Sequence, residues 1–273
     1  MTTTTTGLTV LDTATSKGVG ELNEDLAGSA GPYAWMFDGA TDTPETFRPD
    51  PDVTGAYWIS HTCDTWLRSR PLTRRPPGLV TSLATHVAES LRLAGMPDDG
   101  LPPVCSMGIV RRTDAQVEAA IVGDVFIYHA GKYALLSNPV FGRNEHTAVR
   151  TQRDTRQSPQ EAAAGITARR RGYLKGRDGA WVLGNNPAVG ADVLFAAWDY
   201  TPGDLLLLAT DGFARAVTDY HLAESWTDLT NLVVRRSAAR VIQMIRDHEA
   251  STDQSAPFFK KSDDACVTLL QLS

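Results

Sequence analysis

Acidic residues of this chain gather in five short motifs: Asn23-Glu24-Asp25, Phe37-Asp38-Gly39, Val122-Gly123-Asp124, Thr210-Asp211-Gly212 and Ser262-Asp263-Asp264. Each lies beside an apolar run. Carboxylates gathered at one edge of a core repel one another and lose solvation, so their natural occupant is a hard cation held by oxygen ligands, Mg²⁺ or Mn²⁺. Asp38 and Asp211 are the strongest candidates, because each closes a strand-like stretch, Tyr33 to Phe37 and Leu205 to Thr210. Glycine after each aspartate would let the backbone turn sharply, which would bring the Gly39 carbonyl near an ion. A single Asp-Gly pair marks an ordinary turn as readily as a ligand. The ordered set of motifs is what points to metal chemistry.

Other constellations carry less. Gly18-Val19-Gly20 begins like a dinucleotide fingerprint but lacks the third glycine and a preceding strand. Ala27 to Gly31 falls short of a nucleophile elbow and is read as a turn. His61, Cys63 and Asp64 would spread over different faces of a helix. The six tryptophans have no regular spacing with basic residues, so they are read as core or groove lining.

The carboxylates need elements to hold them. Cys105 to Arg112, Gln116 to Gly123, Val125 to His129 and Tyr133 to Leu136 are separated by turns too short for crossover helices, and are read as one antiparallel meander. Helical patterning marks Thr54 to Arg68, Gly78 to Ala94, Ser158 to Arg171 and Asn231 to Glu249, with Pro76-Pro77 and Asn231 as start signals. Cys266 to Leu272 forms a last strand. Antiparallel sheets must cover their apolar faces, so two sheets packed together with helices outside use this set economically. The expected class is α+β, a four-layer α/β/β/α sandwich. A doubly wound parallel sheet is the competitor, and the meander lacks the helices it would need.

The 273 residues are read as a single domain, 1–273, within which the threonine-rich residues 1–7 form a disordered tail. With 42% hydrophobic and 21% charged residues the chain is globular, neither fibrous nor disordered. A net charge of −6 predicts no nucleic-acid partner and no attraction to anionic membrane. Three widely spaced cysteines, no signal-peptide pattern and no apolar stretch near the roughly 20 residues of a membrane span predict a cytoplasmic protein.

Taken in order, the five motifs resemble the series of the metal-dependent type 2C serine/threonine phosphatases: Asn-Glu-Asp, strand-Asp-Gly, Gly-Asp-Ser, strand-Ser-Asp-Gly, and Asp-Asn or Asp-Asp before the last strand. The resemblance spans about residues 18 to 272 and implies the same four-layer fold. It also implies two Mg²⁺ or Mn²⁺ ions, with a weaker third at Asp124. Asp38 would bridge the two, Asp211 and Asp263 would bind one, and the Gly39 carbonyl would serve the other. Glu24 or Asp25 would complete the site, partly through water. The choice of Asp263 over Asp264 rests on matching Asp263-Asp264-Ala265-Cys266-Val267 to the family's Asp-Asp-x-Thr-Val, and a slip of one residue would exchange them. The implied chemistry is phosphomonoester hydrolysis by a metal-bridging water, with Asp38 and Asp211 central to catalysis.

The chain departs from the family pattern in places. Gly20 stands where the family carries a phosphate-binding arginine, Val125 replaces the Gly-Asp-Ser serine, and Ala40-Thr41-Asp42 follows Gly39, adding a negative charge. A compensating cation source lies between Arg143 and Arg177, where nine basic residues face three acidic ones. Arg169 and Arg170 are its candidate substrate-binding residues, against the alternative of a solvated basic helix face. A phosphorylated protein is the first-choice partner and a phosphorylated small metabolite the second. A catalytically weak pseudophosphatase acting as a binding module is the alternative of another class.

Overall fold

The computed structural model describes residues 7–144, 158–251 and 262–273. Its strands are β1 (Leu8–Ser16), β2 (Leu26–Ala30), β3 (Tyr33–Gly39), β4 (Cys105–Arg112), β5 (Gln116–Val122), β6 (Phe126–His129), β7 (Ala134–Leu136), β8 (Leu194–Asp199), β9 (Leu205–Ala209) and β10 (Ala265–Leu272). The helices treated below are α1 (Gly55–Arg68), α2 (Pro76–Leu93), α3 (Pro159–Tyr173), α4 (Asp211–Thr218), α5 (Trp226–Arg236) and α6 (Ala238–Ser251).

Alternation along β3 explains the layering. Tyr33, Trp35 and Phe37 pack with Ile59, Leu67, Leu83 and Val87 of α1 and α2, while Ala34 and Met36 pack into a different cluster with Leu206, Leu208 and Leu270. A strand buried on both faces needs a partner layer on each. The strands form two five-stranded sheets, β1-β10-β9-β6-β7 and β2-β3-β4-β5-β8, and every neighbouring pair is antiparallel. On the first sheet, Leu207, Ala209, Val267 and Leu269 face Phe213, Leu229, Val233 and Ile245 of α4, α5 and α6. The result is the expected α/β/β/α sandwich.

Local signals set the helix ends. The Thr54 hydroxyl accepts from the Tyr57 N–H to start α1, and Ser158 with Glu161 forms a reciprocal capping box on α3. Asp42 also serves α1: its carboxylate accepts from the N–H groups of Gly55 and Ala56 at 2.9 and 3.3 Å and pairs with Arg48 at 2.7 Å. The extra negative charge at Asp42 is therefore absorbed by a helix start.

Four expectations are corrected. The meander is not one sheet, because β4 and β5 belong to one sheet and β6 and β7 to the other. The chain crosses between the layers at Gly123, whose φ of +89° and close approach to Ser106 exclude a side chain. The helix read over Asn231 to Glu249 is two helices, broken at Ser237 with φ 77° and restarted where Ala238 N–H donates to Asp12 Oδ2 at 2.7 Å. Its start is Ser225, not Asn231. Ala27 to Gly31 is mostly strand β2, with the turn at Gly31, φ +55°. Strands β1 and β8 are additions to the expected elements: β1 is a sheet edge with partly exposed, mixed side chains, whereas β8 carries the apolar run Leu194 to Trp198 at the edge of the other sheet. Of the expected tail, residues 1–6 lie outside the described residues, and Gly7 leads into β1.

Candidate metal centre

β3 and β9 lie in different sheets, and both end at the same rim of the sandwich. Strand parity places Asp38 on the face shared by Ala34 and Met36, toward the opposite sheet. Asp211 is the first residue of α4, and its N–H donates to Asp38 Oδ2 at 3.4 Å. Asp38, Gly39, Asp124, Asp211 and Asp263 line one cleft of about 250 Å³. Four of the five motifs thus reach one cleft, and Glu24 and Asp25 are not among its lining residues.

The two glycines act differently from the expectation. Neither Gly39 nor Gly212 adopts a positive φ. Their lack of a side chain is needed for close approach instead: a Cβ on Gly39 would lie 2.8 Å from the Glu24 carbonyl oxygen, and one on Gly212 would collide with the Asp264 carbonyl. The small residues let the segments carrying Glu24, Asp25 and Asp263 close against the strand ends.

Asp263 and Asp264 separate cleanly. Asp264 is buried, and its two carboxylate oxygens accept from the N–H groups of Gly18 and Glu24 at 2.7 and 2.6 Å. It therefore pins the 18–24 segment. Asp263 faces the cleft, with 23% of its side chain exposed. Glu24 Oε2 accepts from the Thr41 hydroxyl at 3.5 Å, while Asp25 is 4% exposed and its Oδ2 is buried with no hydrogen-bond partner.

Electrostatics reflect the crowding. Burial pushes the Asp25 carboxyl well above its usual pKa, contact with the Thr210 side chain opposes this, and Asp264, Asp211 and Asp263 add repulsion. Burial raises Asp38 in the same way, with further repulsion from Asp25, Asp211, Asp124 and Asp263. Asp124 is raised by burial, against the opposing hydrogen bond from the Ser106 hydroxyl. Among the described residues no three His, Cys, Asp or Glu side chains converge tightly enough, as they stand, to clasp one ion. An all-oxygen donor set, an orphaned buried carboxylate oxygen and mutual repulsion nevertheless fit a hard divalent cation, which would draw these side chains inward. If so, Mn²⁺ or Mg²⁺ at about a hundredfold its Kd should stabilise the protein by about 2.7 kcal/mol. A thermal melt with metal and then with chelator checks this.

The basic segment is partly visible. Arg150, Arg153 and Arg156, with Glu145 and Asp154, lie outside the described residues. Arg169 and Arg170 line the cleft, whereas Arg171 turns away to the Asp99 carbonyl and Glu45. Arg170 is 9% exposed and donates to the Thr41 carbonyl. Burial lowers its pKa to about 10, against the opposing pull of Asp42 and Glu24, and it stays charged at neutral pH. Sequence reading missed Arg215, which is buried in α4 and pairs with Asp263 at 3.2 Å. The available signal was its spacing, one helical turn beyond Asp211.

No protein-family model matches the sequence, and no curated protein matches it. Solved structures do resemble it. The serine/threonine phosphatase PstP/Ppp of Mycobacterium tuberculosis superposes with a TM-score of 0.60 at 15% identity, over 97% of this chain and 99% of that one. The PstP catalytic domain in complex with two manganese ions gives 0.58 at 14% identity, covering 97% of each chain. The PPM Ser-Thr phosphatase MsPP of Mycobacterium smegmatis, in complex with cacodylate, gives 0.51 at 18% identity over 97% and 99%. This chain has the fold of the metal-dependent serine/threonine phosphatases.

Proposed function

We propose that this chain is a metal-dependent phosphatase of the type 2C kind, hydrolysing phosphoserine or phosphothreonine on a protein partner. One observation carries the reading. The Asp38 carboxylate accepts from the backbone N–H of Asp211 at 3.4 Å, 173 positions away and from the other sheet, and both residues line a cleft that also holds Asp263 and two arginines. Asp38, Asp211 and Asp263 would hold one ion, and Asp38, the Gly39 carbonyl and the Asp25–Glu24 pair the other, with Asp124 beside a weaker third. Two such ions supply Lewis-acid charge and an activated water for in-line attack on phosphorus.

The chain's own residues do the rest. Asp38 stands at the end of a sheet strand, so its position is set by the sheet and not by a loop. Asp264 holds the 18–24 segment closed, which keeps Glu24 and Asp25 at the rim. Arg169 and Arg170 line the same cleft as the carboxylates, and a phosphoryl group would sit between the two signs. Val104, Phe141, Ile166 and Val182 form apolar wall around it and limit water access. Because Gly20 leaves no guanidinium on the other side, a phosphorylated small metabolite is the second reading. The retained carboxylates oppose the pseudophosphatase reading. Among the described residues no helix is long and apolar enough to cross a membrane, and we place the activity in the cytoplasm on the basis of the free, buried cysteines.

The test is hydrolysis of p-nitrophenyl phosphate with Mn²⁺, Mg²⁺ or chelator, on wild type and Asp211→Asn. Activity that requires metal and vanishes in the variant supports the reading; metal-independent activity, or none with either ion, refutes it. Arg169→Glu should lower kcat/KM on a phosphopeptide by about tenfold to a hundredfold with a smaller effect on metal affinity. Unchanged turnover of every phosphorylated substrate would remove Arg169 from the site.

A further inference from the structure

A second hollow lies on the outer side of the α1–α2 layer. It is a groove of about 420 Å³ lined by Tyr57, Trp58, His61 and Trp66 of α1, by Arg70 just beyond that helix and by His86 of α2. It shares no lining residue with the metal cleft. Helical spacing makes it. Ile59, Cys63 and Leu67 turn into the core, so Tyr57, His61 and Thr65 turn outward together. An outward helix face ordinarily carries charge. The charged side chains of α1 are Asp64 and Arg68 alone, and they pair with each other at 2.8 Å. The groove is walled by flat rings instead: Tyr57 stacks on the His61 imidazole with centroids 3.9 Å apart, and Trp66 stacks with His86 at 6.0 Å.

One fixed charge stands beside these rings. The Arg70 guanidinium lies over the Trp66 ring, 3.9 Å from its centroid, and Arg70 Nε donates to the Trp66 carbonyl oxygen at 3.0 Å. These two contacts hold the guanidinium plane, and among the described residues no acidic side chain pairs with it. The neighbouring Arg68 and Arg75 are paired, to Asp64 and Glu118, each at 2.8 Å. Burial lowers the pKa of both imidazoles; Asp64 opposes this at His61 and Arg70 reinforces it at His86, so both rings are neutral at neutral pH. Asp50, the one acid in the lining, precedes α1 and already accepts from the Asp52 N–H at 2.9 Å.

We propose that this groove is a binding site for a small planar aromatic carboxylate, its ring against the aromatic wall and its carboxylate on the Arg70 fork. A guanidinium meets a carboxylate through two parallel N–H bonds, and a monoanion matches the single positive charge that Arg70 supplies. A phosphate dianion would leave one charge uncompensated. A cation is opposed by Arg70, which already covers the Trp66 face, and an uncharged ring would leave the fork unpaired. The volume lies in the usual range for small-molecule sites. The site stands apart from the metal-centre reading, because neither cleft borrows a residue from the other.

The experiment is a ligand-observed NMR titration of 2-naphthoate with the full chain in the presence of chelator, on wild type, Arg70→Gln, Arg70→Lys, Tyr57→Ala and Arg169→Gln. The uncharged 2-naphthylmethanol and the cationic 2-naphthylmethylammonium are the comparison probes, and a thermal melt checks that each variant folds. Wild type should bind 2-naphthoate with a Kd of about 1 mM or tighter, and both comparison probes about tenfold more weakly or worse. Arg70→Gln should weaken 2-naphthoate by about tenfold or more. Arg70→Lys, which keeps the charge and loses the fork, should fall between the two. Tyr57→Ala should weaken it by about fivefold, through loss of a flat face. No binding to wild type, equal binding of the alcohol, or an unchanged Kd in Arg70→Gln overturns the proposal. Binding lost in Arg169→Gln and kept in Arg70→Gln puts the probe in the metal cleft and overturns it as well. If Arg70→Gln does not fold, Arg70→Lys decides, and a Kd equal to that of wild type counts against the site.

Discussion

Asp38→Asn should lose metal-dependent phosphate release by about a thousandfold or more, and should do so without unfolding the protein. In the proposed site Asp38 is the one carboxylate assigned to both ions, so its loss would remove charge from each. The amide is nearly isosteric and still accepts from the Asp211 N–H, now at 3.4 Å. The same substitution should keep or raise the melting temperature of the metal-free protein. Burial and four neighbouring aspartates hold the Asp38 carboxyl well above its usual pKa, which means the charged form is disfavoured in the fold. The sign follows from linkage: a raised acid pKa costs stability as pH climbs from the unfolded-state value through the folded one, and asparagine escapes that cost. Phosphatase assays and metal-free melts at neutral pH check both halves. Retained activity, or a large drop in the metal-free midpoint, would show that Asp38 is structural.

Asp264→Ala should behave in the opposite way. Its two oxygens accept from Gly18 and Glu24 N–H at 2.7 and 2.6 Å, and the site is buried. Alanine would strand both donors and release the 18–24 segment, costing about 3 kcal/mol. For a chain of this size that is a drop of about 5 °C in melting temperature, present with or without metal. Asp263→Asn should instead erase most of the metal-induced rise in melting temperature. The pair of measurements decides between neighbouring aspartates by the kind of effect each has, which an activity assay alone would not do.

Much of the architecture was legible because burial leaves a period in sequence. Tyr33 to Phe37, Leu205 to Ala209 and Ala265 to Leu272 are central strands buried on both faces, so they read as mostly apolar runs. The edge strand Leu8–Ser16 faces solvent in part and carries no such run, and the break at Ser237 involves Asp12, more than 200 residues away. Long-range partners of that kind leave no local mark.

The site divides along the same line. Residue types and their order determined that carboxylates would stand at strand ends, because an aspartate after an apolar run can only emerge where the strand leaves the core. Which of them converge was decided by the packing of two sheets. That packing turned Asp263 toward the cleft and Asp264 toward backbone donors, although the two are adjacent in the chain. It sent β5 and β6 into different layers across a glycine with φ +89°. It brought Arg169 and Arg170 over the carboxylates while Arg171 turned away, and placed Arg215 among them with no motif to announce it. Adjacent residues differ because side chains on a strand or helix point in different directions, and only the docking of layers says which direction meets the site.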